Sequence, residues 1–91
     1  MAQGDAHARV THHAVRDETL RRRLEVRRER LHEALPAVRD TARLRELLDE
    51  VDAALGRIRT GTFGLCETCH DEIEQDRLLA DPLCRNCLDH L

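Results

Sequence analysis

The sequence Cys66-Glu67-Thr68-Cys69 and, further on, Cys84-Arg85-Asn86-Cys87 places four cysteines in two C-x-x-C pairs near the end of a 91-residue chain. A C-x-x-C turn directs two thiolates at one ion, and two such turns supply the four sulfurs of a tetrahedral zinc site. The pattern therefore predicts structural Zn²⁺ held by Cys66, Cys69, Cys84 and Cys87. Iron in the same thiolate set is a minor alternative.

Three other interpretations of these cysteines have weaker support. Two disulfides require an oxidising compartment, and the first residues of the chain contain no apolar stretch like that of a signal peptide, so we expect a cytoplasmic protein. A redox dithiol is typical of a single C-x-x-C beside a βαβ pattern, which is missing from this sequence. The string from Cys66 to His70 also matches the C-x-x-C-H attachment motif for haem. The second pair would then be unexplained, and His90 is a poor candidate for the other axial ligand.

Composition limits how large a core the chain can bury. Charged residues make up 36% of the sequence and Phe63 is its one aromatic residue. Residues 1–45 hold 11 arginines against 7 acidic residues, a balance of +4, whereas residues 46–91 hold 4 against 11, a balance of −7. An acidic knob of this kind is a weak candidate for gripping DNA phosphates, so no sequence-specific DNA binding is expected. No apolar run is long enough to cross a membrane.

The spacing of leucines before the cysteines predicts a mainly α-helical architecture, an antiparallel coiled-coil hairpin followed by a small four-cysteine zinc-finger knob. A narrow apolar seam recurs at helical spacing through the first half, and a wider stripe continues from Leu44 to Ile58. Pro36 interrupts the pattern, because its ring and missing N–H oppose a continuous helix. We predict a disordered tail at 1–13, the hairpin at 14–60 with its tip at about 36–41, and the zinc finger at 61–91.

The residues around the first cysteine pair carry a family resemblance. Residues 54–69, ALGRIRTGTFGLCETC, resemble the signature AL-x-RI-x-x-GT[YF]G-x-C-x-x-C of the DksA/TraR zinc-finger family. Residues 77–82, RLLADP, match the element R-L-x-A-x-P that precedes the second pair. Family members insert a coiled-coil arm into the secondary channel of bacterial RNA polymerase, where they alter promoter complexes without reading DNA sequence. Some of them act together with the alarmone ppGpp.

The resemblance extends to the hairpin tip and sets the expected partners. The family's functional tip carries Asp-x-Ala, and Asp40-Thr41-Ala42 stands where this hairpin turns. Asp40 is also a good helix N-cap, so both interpretations of Asp40 and Ala42 stay open. The resemblance implies RNA polymerase as the partner of a monomeric, zinc-dependent regulator, with ppGpp at the polymerase interface left open. His70 departs from the pattern, since the family usually has glycine after the first pair.

Two functions of other classes compete with the polymerase hypothesis. The arginine-rich first helix suits a zinc-finger adaptor that binds another protein or RNA. Four metal-bound thiolates also suit a thiol-based stress sensor that loses zinc on oxidation. An enzyme is not expected, because four thiolate ligands leave no open position for water and no nucleophile–base pair is suggested.

Overall fold

The computed structural model describes residues 13–91, so the predicted disordered tail lies outside the described residues except for His13. Two long helices, α1 (Ala14–Ala34) and α2 (Ala42–Thr60), precede a short helix α3 (Gln75–Ala80). Turns of 3₁₀ helix follow α1 at Leu35–Ala37 and end the chain at Leu88–His90. The described part of the chain has no extended strands, only an isolated bridge between Leu65 and Glu72. The predicted mainly α-helical fold class is confirmed.

The hairpin is held together by the apolar stripes that the leucine spacing predicts. Leu20 and Leu24 of α1 are fully buried, and they belong to the same core as Val51 and Ala54 of α2. Farther from the zinc finger the arm carries fewer buried residues, and Leu31 is only partly buried. The molecule is accordingly long and thin, with extents of 53 × 26 × 20 Å.

The core is deepest where the base of the hairpin meets the cysteine-rich end. Phe63, Ile73 and Leu78 are buried there together with Cys66 and Cys87. The guanidinium of Arg16 lies 5.8 Å from the centre of the Phe63 ring, a cation–π distance. The neighbouring Leu79 is 44% exposed, because it lies on the outer face of α3 while Leu78 points inward.

Gly61 ends α2 as its C-terminal cap. It adopts a left-handed conformation with φ of 81°. The amides of Gly61 and Thr62 donate to the carbonyl oxygens of Ile58 and Arg57 at 3.3 and 2.9 Å, the hydrogen-bond pair of a Schellman cap. This cap turns the chain sharply toward the first cysteine pair. No described helix is both long enough and apolar enough to span a membrane.

Replacing Gly61 by alanine should destabilise the protein by about 1 kcal/mol, because a Cβ is unfavourable at this φ. Space is not the reason, since an added Cβ would meet nothing within 4 Å. Gly56→Ala is the matched control: Gly56 lies inside α2, where an added Cβ makes one ordinary contact at 3.7 Å. That change should stabilise the helix by about 0.5–1 kcal/mol. Urea denaturation of the zinc-loaded variants measures both, and equal effects of the two changes would contradict the assigned cap.

Candidate metal centre

The first cysteine pair sits on a tight turn that backbone hydrogen bonds close. The amide of Cys66 donates to the carbonyl of Asp71 at 2.8 Å, and the amide of Ile73 donates to the carbonyl of Gly64, also at 2.8 Å. The amide of His70 donates back to the carbonyl of Cys66 at 2.9 Å. Within the turn, the amide of Thr68 points at Cys66 Sγ from 3.4 Å. These bonds direct the sulfurs of the pair to one side of the turn.

The second pair is fastened to α3 by hydrogen bonds to both members of an ion pair at the start of that helix, Arg77 and Glu74. Arg77 Nη1 donates to Glu74 Oε1 at 3.3 Å and to the carbonyl oxygen of Asn86, between the two cysteines, at 2.8 Å. Glu74 Oε1 also accepts from the amide of Leu88 at 3.1 Å. Hydrogen bonds from its own amide, from Leu88 and from Arg77 hold the pKa of Glu74 below its ordinary value. The arginine of the R-L-x-A-x-P element therefore positions the second turn.

Four potential ligand atoms meet between these turns. They lie within 4.8 Å of one another and belong to Cys66, Cys69, Cys87 and His90. Cys69 Sγ and Cys87 Sγ are 3.8 Å apart. Two sulfurs bound to one zinc at about 2.3 Å in a tetrahedron are separated by about 3.8 Å, so this pair already has the spacing of a zinc site. The donor set of sulfur and imidazole nitrogen is also the set that zinc prefers.

The thiols of this cluster oppose one another's ionisation. Burial raises the pKa of Cys66, but amides of Cys69, Cys87 and Thr68 hydrogen-bond to its sulfur and bring that pKa down to about 6. Burial raises the pKa of Cys87 to about 11, and the neighbouring Cys66 contributes to the increase. One buried thiolate thus forms easily and discourages a second. A divalent cation removes the conflict, because it stabilises all the thiolates at once.

Arg57 offers a second observation that the residues fit a metal–thiolate cluster. Its Nη2 atom is buried and has no hydrogen-bond partner among the described residues. Burial lowers the pKa of Arg57, Glu67 and Cys84 oppose that change, and Arg85 adds to it. A buried guanidinium N–H without an acceptor is costly unless a nearby group supplies negative charge. A zinc centre with four thiolates carries a net charge of about −2, which would supply it.

The structure brings together three of the four predicted ligands. Cys66 and Cys87 are buried and Cys69 is half-buried at the centre of the cluster. Cys84 is half-buried close by, but its Sγ lies 3.3 Å from the carbonyl oxygen of Asn86 and is not in the mutually close set. His90 occupies the fourth place, although sequence reasoning considered it only as a haem ligand. The spacing Cys87-x-x-His90 was the signal that could have found it.

The predicted tip residues lie at the opposite end of the molecule from the cysteines. Asp40 is exposed, and its Oδ1 accepts a hydrogen bond from the amide of Ala42 at 3.0 Å. The N-cap of α2 is Thr41, so Asp40 is not the cap that the sequence suggested; its bond instead closes a turn onto the first residue of the helix. Its other carboxylate oxygen makes no hydrogen bond within the described part of the chain, so the charge is available to a partner.

A groove lined by arginines runs along α1 beside the zinc-finger end. It has a volume of about 450 Å³, and its lining residues are Arg22, Arg23, Leu24, Val26, Arg27, Arg30 and Pro82. Arg22 pairs with Glu18, and Arg23 donates to the carbonyl oxygen of Leu79. Within residues 13–91, Arg27 and Arg30 form no ion pair. The groove is therefore a concentrated positive surface that the described residues neutralise only in part.

Comparison with known proteins agrees with this arrangement. Residues 61–89 match the family model of the prokaryotic dksA/traR C4-type zinc finger. The fold is similar to that of the RNA polymerase binding protein and transcriptional regulator Dks from Chlamydia trachomatis. The TM-score is 0.69 and the sequence identity 26%, over 81% of this chain and 80% of that one. The chain is a DksA-like zinc-finger protein. Its metal is accordingly zinc.

Sequence relatives cover a shorter stretch. The chain is 36% identical over 52 residues to the RNA polymerase-binding transcription factor DksA of Haemophilus influenzae, which is 57% of this chain and 36% of that protein. It is 49% identical over 41 residues to General stress protein 16O of Bacillus subtilis, 45% of this chain and 25% of that protein. The matched part thus spans between a quarter and just over a third of these curated relatives.

Replacing His70 by glycine should stabilise the zinc-loaded protein by about 1 kcal/mol. His70 has a φ of 65° and is the one non-glycine residue at positive φ within residues 13–91. Glycine adopts this conformation without a Cβ penalty, although it also makes the unfolded chain more flexible. His70→Ala keeps the Cβ and is the control, so it should bring no such gain. Denaturant titrations at saturating zinc compare the variants, and a loss of stability in His70→Gly would contradict the strain argument.

Removing zinc should unfold residues 61–91, because the buried thiols and the small core beside them form one cluster. Structural zinc contributes roughly 10–16 kcal/mol to the folding of such modules. Amide NMR spectra with and without a chelator measure this directly, and the resonances of Phe63, Ile73 and Leu78 should lose their dispersion. Readdition of zinc should restore them. Unchanged spectra from a protein shown to be metal-free would contradict a structural role for zinc.

Proposed function

We propose that this protein is a zinc-stabilised transcription regulator that binds bacterial RNA polymerase through its secondary channel and modulates initiation without reading DNA sequence. The observation that supports the proposal most is the geometry of the hairpin. It projects away from the zinc finger and presents Asp40 at its exposed end. The similar fold of Dks from Chlamydia trachomatis, an RNA polymerase binding protein, supports the same assignment.

In this proposal the zinc finger is the stable base of the molecule, and the hairpin is the part that enters the secondary channel. Zinc is held by Cys66, Cys69 and Cys87 with Cys84 as the fourth ligand, and it supplies folding energy rather than catalysis. The protein acts in the cytoplasm as a monomer and has no enzymatic activity of its own. We include ppGpp as a further ligand at the polymerase interface, to be tested by adding it to the same assays.

The charge of Asp40 can be separated from its hydrogen bond to Ala42. An asparagine side-chain oxygen accepts the same kind of turn hydrogen bond as aspartate, so Asp40→Asn removes the charge and keeps the bond to the amide of Ala42. A loss of regulation in this variant therefore reports on contacts made by the carboxylate. Asp49→Asn is the matched control, because Asp49 is an exposed carboxylate in the interior of α2.

We expect Asp40→Asn to bind core RNA polymerase with unchanged affinity and to lose its effect on promoter-complex lifetime, whereas Asp49→Asn keeps both properties. The physical reason is that the arm and base provide the docking surface, while one charge at the tip acts inside the channel. Pull-down with purified bacterial core polymerase, followed by transcription from a linear promoter template, measures the two properties separately. Cys66→Ser, which lacks a zinc ligand, should fail in both.

A second candidate function is a protein or RNA adaptor that binds through the arginine-lined groove. Arg27 and Arg30, which form no ion pair within residues 13–91, favour it, because their guanidinium groups can pair with carboxylates or phosphates of a partner. Arg27→Gln/Arg30→Gln separates the two functions. If this double variant abolishes partner binding while Asp40→Asn remains fully active, the adaptor replaces the polymerase regulator. A folded, zinc-loaded wild-type protein that does not bind polymerases from several bacteria would also overturn the proposal.

A further inference from the structure

The metal centre has five potential ligands for four coordination positions. Cys66, Cys69 and Cys87 belong to the cluster on every assignment; His90 completes the mutually close set, and Cys84 packs against the core that contains Cys66 and Cys87. Structural zinc is almost always four-coordinate, so only one of these two can complete the tetrahedron at a time. The geometry of each candidate is therefore informative.

Cys84 is placed beside the cluster. Its thiol donates to the carbonyl oxygen of Asn86, two residues later, at 3.3 Å. The sulfur is therefore hydrogen-bonded within its own C-x-x-C turn. The Asn86 side chain points the other way, with Oδ1 3.7 Å from Cys66 Sγ and 3.3 Å from the Thr68 hydroxyl. The electrostatic interaction of Cys84 with Arg57 shows that a thiolate at this position would have a cation beside it.

His90 is placed at the cluster by a turn of 3₁₀ helix. Its amide donates to the carbonyl oxygen of Cys87 at 3.0 Å, which closes the turn at Leu88–His90. Residues three apart eclipse each other in a 3₁₀ turn, so the imidazole folds back over Cys87. Nδ1 of His90 is 3.3 Å from Cys87 Sγ. A sulfur and a nitrogen bound to one zinc at about 2.3 and 2.0 Å are separated by roughly 3.5 Å.

The spacing along the chain makes the two candidates equivalent. Cys84 is three residues before Cys87, and His90 is three residues after it. Both can therefore reach an ion already held by Cys87, one through the C-x-x-C turn and the other through the 3₁₀ turn. The two arrangements differ in charge, because three thiolates and a neutral imidazole with Zn²⁺ give a net charge of about −1 instead of about −2.

We propose that His90 is an alternative fourth zinc ligand, which takes the coordination position of Cys84 and gives a Cys₃His site that shares Cys66, Cys69 and Cys87 with the four-cysteine site. The proposal rests on the zinc centre of the proposed function but not on polymerase binding. It means that the zinc finger keeps its metal when the Cys84 thiolate is lost, whereas loss of any shared cysteine removes the metal.

The test compares Cys84→Ser with Cys66→Ser, alone and combined with His90→Ala, in the full-length chain. Zinc affinity is measured by competition with a chromophoric chelator. In the wild type, His90→Ala should change the affinity by less than about threefold, because Cys84 remains. In Cys84→Ser the same change should lower the affinity by a further factor of about 10 or more, the scale of ligand-environment losses. Cys66 belongs to both ligand sets, so Cys66→Ser alone should already abolish metal binding.

Cobalt substitution and NMR give a readout independent of affinity. Co²⁺-loaded Cys84→Ser should keep the intense visible absorption of a tetrahedral site, with weaker thiolate charge transfer than the wild type. The ¹⁵N shift of His90 Nδ1 in its zinc form should show direct coordination. If Cys84→Ser loses metal as completely as Cys66→Ser, or if His90→Ala acts equally in both backgrounds, His90 is only a hydrogen-bond partner of Cys87 and the proposal is wrong. A wild-type chain that binds no metal would instead refute the zinc centre itself.

Discussion

The structure depends on the burial of cysteine sulfur between two turns at the base of the hairpin. Cys66 and Cys87 are core residues as well as metal ligands, since they pack with Phe63, Ile73 and Leu78. Thiolates buried in this way are stable only when a cation compensates their charge. A chain with one aromatic residue and 36% charged residues has little other apolar surface to bury. The zinc–sulfur bonds therefore replace the large core that a chain of this length cannot build.

Because zinc stabilises the base, the packing along the hairpin is uneven. The best-buried residues of α1, Leu20 and Leu24, lie toward the zinc finger, and burial decreases toward the tip. The base is consequently the rigid part, and the tip is held by little more than the Pro36 turn and the hydrogen bond from the amide of Ala42 to Asp40. Such a gradient suits a probe, because a stable base fixes its direction while the exposed end keeps its polar groups for a partner.

Local patterns in the sequence predicted most of the fold. Leucine spacing predicted the two helices and their buried faces, and Pro36 predicted the turn between them, because each depends on neighbours within one or two turns. The exposure of Leu79 beside the buried Leu78 does not follow from such spacing, because the orientation of a six-residue helix is set by the core that it joins. In the candidate site, the C-x-x-C spacing identified three clustered sulfurs. The buried Arg57 Nη2, which has no hydrogen-bond partner within residues 13–91, could not be predicted from such patterns, because its surroundings come from distant segments of the chain.

The ambiguity between Cys84 and His90 has the same origin. Sequence spacing indicates which residues can reach an ion that Cys87 holds. Cys84 and His90 are each three residues from Cys87, so the spacing allows both. The choice between them depends on charge, which is a property of the assembled site. Arg57 lies near Cys84 and favours the more negative four-thiolate cluster, whereas the repulsion among buried thiolates favours the imidazole. Because the two effects oppose each other, a small change at Cys84 or Arg57 is enough to decide which residue binds the metal.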